Sequence, residues 1–172
     1  MSPVRRLRLA SLAAIAALAL GGCASYRMGD PASLPFASVY VEPPLNTSTA
    51  PQAAALVGTS LGRQLDRTGR VTLAASGAAE ATVQVTLVRL TREPTISRTE
   101  DTGLARRWRV TLEAEVTLTD RRTGKDYFTR RKVSAFDEVY SDSGLVSAEY
   151  QNMPLLASRL AEAIATEITS VW

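Results

Sequence analysis

The chain has 172 residues, 45% hydrophobic and 22% charged, which reads as one globular domain with a short appendage rather than a disordered or fibrous chain. Its formal net charge of +3 is positional: Arg5, Arg6 and Arg8 precede every acidic residue. With those three set aside, seventeen of the twenty basic residues face seventeen acidic ones, which excludes strong counterion-driven binding to nucleic acid. There is no histidine and one cysteine, Cys23, which excludes an internal disulfide, the usual zinc and copper sites, and Ser-His or Cys-His catalysis.

Residues 1–22 divide into a basic "MSPVRRLR", an apolar "LASLAAIAALAL" and Gly21-Gly22, the layout of a secretory signal. The apolar run spans only about 20 Å as a helix, short of the roughly 30 Å hydrocarbon core, so it is not expected to remain as a transmembrane span. Leu20-Gly21-Gly22-Cys23 resembles the bacterial lipobox. That resemblance implies a diacylglycerol on the Cys23 thiol, cleavage before it, and a fatty acid such as palmitate on the new amino terminus. Several acyl chains make a lasting tether where one does not. Ala24, where the inner-membrane retention signal has Asp, implies the outer membrane. An ordinary signal peptide with a chance cysteine is the alternative.

Residues 23–35 are polar, with Gly29, Pro31 and Pro35, and read as the lipidated terminus and tether. "FASVYVEPP" predicts a short strand stopped by Pro43-Pro44. Residues 46–70 predict a helix with Thr47, Ser48 or Thr49 as cap, Pro51 in its first turn, a stripe of Ala54, Val57, Leu61 and Leu65, and Gly69 at its end. Gly58 and Gly62 lie beside that stripe, where small residues favour close packing. "RVTLAAS" is a brief strand.

"ATVQVTLVRLTREP" alternates through Val83, Val85 and Leu87, then changes parity at Val88 and Leu90, which predicts a bulge. "RRWRVTLEAEVTLTD" is the cleanest strand. Trp108, Val110, Leu112, Ala114, Val116 and Leu118 share one face; Arg107, Arg109, Glu113 and Glu115 share the other. A turn at Gly124 leads to a strand from about Asp126 to Ala135, whose inward face is ambiguous where Tyr127 and Phe128 adjoin. "DEVYSDSG" reads as an acidic loop. Met153, Leu156, Leu160, Ile164, Ile168 and Val171 then mark a long closing helix.

These elements predict an α+β two-layer sandwich, with two helices on one face of a four- to five-stranded mixed, mostly antiparallel sheet. Residues 36–172 form its single domain, and a parallel first strand–helix–strand unit would cross over right-handed.

From Cys23 onward the chain resembles the LptE family, the lipopolysaccharide-assembly lipoproteins of the Gram-negative outer membrane. The resemblance rests on "YRMGD" after the cysteine, "FASVYVEPPLNTS", the helix end "LDRTGRVTL", the meander "ARRWRVTLEAEVTLTDRRTGK", and the closing helix. It implies a lipid-anchored protein facing the periplasm. That protein would plug and support an LptD-type β-barrel and help it assemble and insert lipopolysaccharide, without catalysis, cofactor or metal. Family members carry a basic residue associated with lipopolysaccharide near the loop between the central strands. Arg98 is the nearest match, with Arg106, Arg107 and Arg109 at the loop's other end. A lysine found in some members before the last helix is absent here.

Charge separates along the chain in a way that suits an anionic amphiphile: residues 89–132 hold twelve basic and seven acidic residues, and residues 133–172 hold one and six. The plainer reading of the arginines is a solvated strand face offset by Glu113 and Glu115. Trp108, by parity, belongs to the core. Tyr140 and Tyr150 are candidate barrel contacts or ordinary loop packing. An accessory lipoprotein of another envelope machine, such as a cell-wall synthase activator or an ABC lipid-transfer accessory, is the alternative function. A carboxylate hydrolase built on Glu113 and Glu115 is disfavoured because both sit on a wet face.

Overall fold

The computed structural model describes residues 33–95, 107–140 and 145–171. The chain divides into two units, Met1–Ser33 and Leu34–Trp172, and every element below belongs to the second. The elements are β1 (Ser38–Val41), β2 (Leu45–Asn46), α1 (Ala53–Thr68), β3 (Thr72–Leu73), β4 (Ala81–Pro94), β5 (Arg107–Asp120), β6 (Asp126–Tyr140) and α2 (Leu145–Thr169).

The sheet has six strands in the order β3-β1-β4-β5-β6, with β2 also on β4. This exceeds the expected four to five because Pro43-Pro44 divide the strand alongside β4 into β1 and β2. β1 pairs with Ala81–Val83 and β2 with Thr86–Leu87, both parallel to β4. β1 and β3 are also parallel, which is the condition for a right-handed crossover through α1. β4, β5 and β6 form the antiparallel meander.

Parity in β4 shifts where the sequence predicts. Leu87 pairs with Ala114 and Arg89 with Glu113, so Val88 bulges out, and Leu87 and Leu90 both turn inward. β6 contains two such irregularities. Asp126 and Phe128 oppose the adjacent Thr119 and Leu118, which accommodates the neighbouring aromatics: Phe128 is buried, and Tyr127 packs on Phe36 with ring centroids 5.3 Å apart. Next, Thr117 faces both Thr129 and Arg130, and Arg130 adopts a left-handed φ of 47°.

Two local expectations are corrected. α1 begins at Ala53 after Gln52, and no side chain caps it. Thr47 instead donates to the Leu87 carbonyl, and Ser48 bonds Asn46 in a turn. Gly69 ends the helix with φ 62°, as expected. The stretch from Asp137, expected to be loop, is strand instead, because β6 continues through Asp137 and Glu138 to Tyr140.

Both helices contribute to one core with the inner face of the sheet. α1 supplies Val57, Leu61 and Leu65; α2 supplies Met153, Leu156, Leu160, Ile164 and Ile168; the sheet supplies Val83, Leu87, Leu112 and Leu118. Pro154 lies inside α2 and has no N–H for the Tyr150 carbonyl one turn back. The arm Leu145–Met153 is tied down by side chains instead. Glu149 pairs with Arg92, and Asn152 donates to Asp137. No described helix is long and apolar enough to cross a membrane.

Candidate functional site

The first strand turns of β5 and the last of β6 lie side by side at the end of the sheet farthest from residue 36. Register sets Arg107 opposite Tyr140, Arg109 opposite Glu138, and Thr111 opposite Phe136. All belong to the face of the sheet that the helices leave bare.

Here the side chains interlock. The Arg107 guanidinium lies over the Tyr140 ring, 4.8 Å from its centroid, and Arg109 lies over Phe136 at 4.7 Å. Glu138 stands between them, 3.4 Å from Arg107 and 3.8 Å from Arg109. Stacking leaves the Arg107 Nε buried without a hydrogen-bond partner. Phe136 and Tyr140 are nonetheless 51% and 57% exposed. The result is a platform of two cations on two open rings, braced by one carboxylate. Guanidinium groups held flat beside apolar surface suit an anionic amphiphile.

Of the sequence-predicted residues, Arg107 and Arg109 join in this platform. Arg98, Arg106 and Cys23 lie outside the described residues. Sequence reasoning missed Phe136 and Glu138, because an acid at the inward position 137 disguised the end of β6 as a loop. Asp137 is buried there, paired with Arg159 at 2.8 Å and bonded by Asn152. The visible signal was the alternation of Val133, Ala135 and Val139. Trp108 keeps the inner parity of Val110, but it is only half-buried and lies outside the core cluster, which corrects its expected place in the core: it sits at the very end of β5, opposite Pro94 and Val139.

A second concavity, an open groove of about 790 Å³, lies between the turn before α1 and the arm of α2, lined by Ala50, Pro51, Val146, Tyr150 and Met153 among others. Tyr150 and Val146 are exposed at its mouth.

Glu115, on the outer face, does not suit acid catalysis. Glu115 bonds Arg130 at 2.7 Å, and that hydrogen bond holds its carboxyl below the usual range. Among the described residues no cluster of ligating side chains could hold a metal.

Comparison with solved structures finds the same fold. A hypothetical protein from Chlamydia trachomatis is 14% identical with a TM-score of 0.52, over 79% of this chain and 97% of that one. A protein from Xanthomonas campestris is 13% identical with a TM-score of 0.50, over 81% and 89%. No curated protein sequence matches the chain. The LptE model, described as lipopolysaccharide-assembly, matches residues 36–170, which contain every strand and both helices, so the chain belongs to the LptE family.

Proposed function

We propose that the protein is an outer-membrane lipoprotein, anchored through Cys23 after loss of residues 1–22. In this reading its folded unit plugs and supports an LptD-type β-barrel during assembly and insertion of lipopolysaccharide. The observation that carries the reading is the family match across the whole folded unit. The platform of Arg107, Arg109, Phe136 and Tyr140 supports it chemically, since it offers cations and rings together to a phosphorylated lipid or to the barrel wall. The role is one of binding and support, without catalysis.

Capture of the lipidated protein from membranes tests the partnership. Co-purification of a β-barrel larger than the bait is expected; recovery of a cell-wall synthase or an ABC lipid-transfer component in its place overturns it. Mass spectrometry of Cys23 tests the anchor, where a diacylglycerol thioether is expected and a free thiol refutes it. For the ligand, reversal of Arg98 and Arg106 to Glu, and of Arg107 and Arg109 to Glu, should weaken lipopolysaccharide binding in a protein that still folds.

A further inference from the structure

We infer that the free edge of β6, from Val133 to Tyr140, takes up an extended segment of the β-barrel partner as an added strand of the sheet. The inference rests on the proposed partnership with a barrel and goes beyond it in naming the edge and the mode of contact.

β6 is the last strand of the sheet and, at fifteen residues, its longest; the strands at the opposite side, β2 and β3, have two residues each. The ladders fix where its main-chain groups point. The Thr95 N–H donates to the Arg107 carbonyl at 2.9 Å, so Arg107 turns its main-chain groups toward β4 and away from β6. The far end of β5 keeps the same alternation: Asp120 bonds Lys125 across the β5–β6 turn, and Arg121 bonds Glu80 on the β4 side. Tyr140, opposite Arg107, therefore turns its own groups outward. Glu138, Phe136 and Ser134 do the same at two-residue intervals, because the register runs without a shift from Tyr140 back to Val133. One carbonyl of this row is taken: Arg159 reaches round from α2 to donate to Phe136 at 3.0 Å. Among the described residues no main-chain group pairs with the row.

Open sheet edges are ordinarily guarded by bulges, cations or proline. Here the guards stand on one half only. Arg130 bulges at φ 47° and is followed by exposed Arg131 and Lys132, whereas Val133–Tyr140 contains no Lys, Arg, Pro or Gly. Asp137 is paired with Arg159, and Glu138 stands between Arg107 and Arg109, so both acids are answered within the domain. Exposed Phe136 and Tyr140 flank the edge on the bare face, and on the helical side Leu155 is 47% exposed. Leu155 lies three residues after Asn152 and four before Arg159, two α2 side chains that reach β6, so it shares their side of the helix. An added strand thus finds main-chain groups along the edge and apolar surface on both faces, which suits alternating β-branched or aromatic residues. The edge is also continuous with the arginine platform, whose two rings belong to this row. The wall strands of a closed barrel are already paired, so the segment is one of its loops or termini. A second copy of this chain does not fit. α2 is tied over β6, and two copies paired antiparallel would set their α2 helices about 5 Å apart, against the roughly 8–10 Å that packed helices need.

The test compares the full lipidated protein, free and in complex with the captured barrel, by hydrogen exchange resolved to single residues. The amides of Ser134, Phe136, Glu138 and Tyr140 should exchange quickly in the free protein and at least about tenfold more slowly in the complex. Those of Ala135, Asp137 and Val139, bonded to β5, should be protected in both. Ser134→Pro removes one outward N–H and no bond to β5, so it should melt normally yet weaken capture of the barrel about tenfold; Ser134→Ala should capture normally. Leu155→Lys should also weaken capture. Unchanged exchange of the four outward amides, full capture by Ser134→Pro, or equal loss with Ser134→Ala overturns the added strand. If Ser134→Pro does not fold, the exchange pattern decides alone. A wild-type dimer in sedimentation that Ser134→Pro splits assigns the edge to a second copy, and the inference falls. Capture of the barrel without slowed exchange removes this inference alone; failure to capture any barrel removes the proposed partnership and this inference with it.

Discussion

Arg92, near the end of β4, grips Glu149 on the first arm of α2 by two bonds, Nε to Oε2 at 2.5 Å and Nη2 to Oε1 at 2.8 Å. The Glu149 hydrogen bonds push the Arg92 guanidinium above its ordinary range. The pair sits where Pro154 has removed a backbone bond, so it substitutes a side-chain tie for a helical one. Arg92→Ala should cost about 1–2 kcal/mol, within the range for a partly exposed, charge-assisted pair. Hydrogen exchange should show faster opening confined to Leu145–Met153. Uniform acceleration along α2 would contradict a local tie.

The two glycines of α1 should respond oppositely to substitution. A Cβ on Gly62 meets only Leu73 Cδ1 at 3.6 Å, an ordinary contact, so Gly62→Ala should stabilise by about 0.5–1 kcal/mol. At Gly58 the same atom would stand 3.0 Å from Pro44 Cδ and 3.3 Å from its Cγ. Gly58→Val should therefore destabilise by about 1–3 kcal/mol, by forcing α1 off the Pro43-Pro44 corner. Urea denaturation of both variants checks the signs.

The β5–β6 turn predicts acid sensitivity. Thr123, with the backbone N–H groups of Arg122 and Thr123, holds the Asp120 carboxyl below its usual range; Thr119 and Thr129 do the same for Asp126, and Arg130 for Glu115. A depressed carboxylate stabilises the fold above its unfolded pKa, and that contribution fades as pH falls through the folded value. Melting temperature should hold above about pH 5 and decline below about pH 4. Asp126→Asn should show a shallower decline; an unchanged profile would mean that these carboxylates are not coupled to folding.

Leu160 is fully buried between the helices and the sheet. Leu160→Ala should cost about 2–5 kcal/mol, read from the denaturation midpoint. A loss under about 1 kcal/mol would show that the core relaxes around the gap.

Phe136 and Tyr140 are too exposed to matter much for stability. Phe136→Ala and Tyr140→Ala should leave the melting temperature nearly unchanged. Each should weaken capture of lipopolysaccharide or of the barrel about two- to fivefold, the worth of one exposed cation–π support. A melting temperature that drops sharply would recast the rings as structural.

The amino-acid pattern alone determined the layers and their order, because period-two and period-3.6 alternations report directly which face is dry. The β5 alternation, the Val88 parity change and the stripes of both helices could all be read from single residues. So could the candidate anchor, whose features are contiguous in sequence. Tertiary structure decided what depends on partners distant in the chain. Asp137 looks like a loop acid until Arg159 and Asn152 arrive from α2 to neutralise it, and only then does β6 extend far enough to bring Phe136 and Tyr140 under Arg109 and Arg107. Threonine and serine before α1 look like caps until Leu87 and Asn46 claim them. A polar group's role follows from the partner that satisfies it, and pairing between distant segments exists only once the chain has folded.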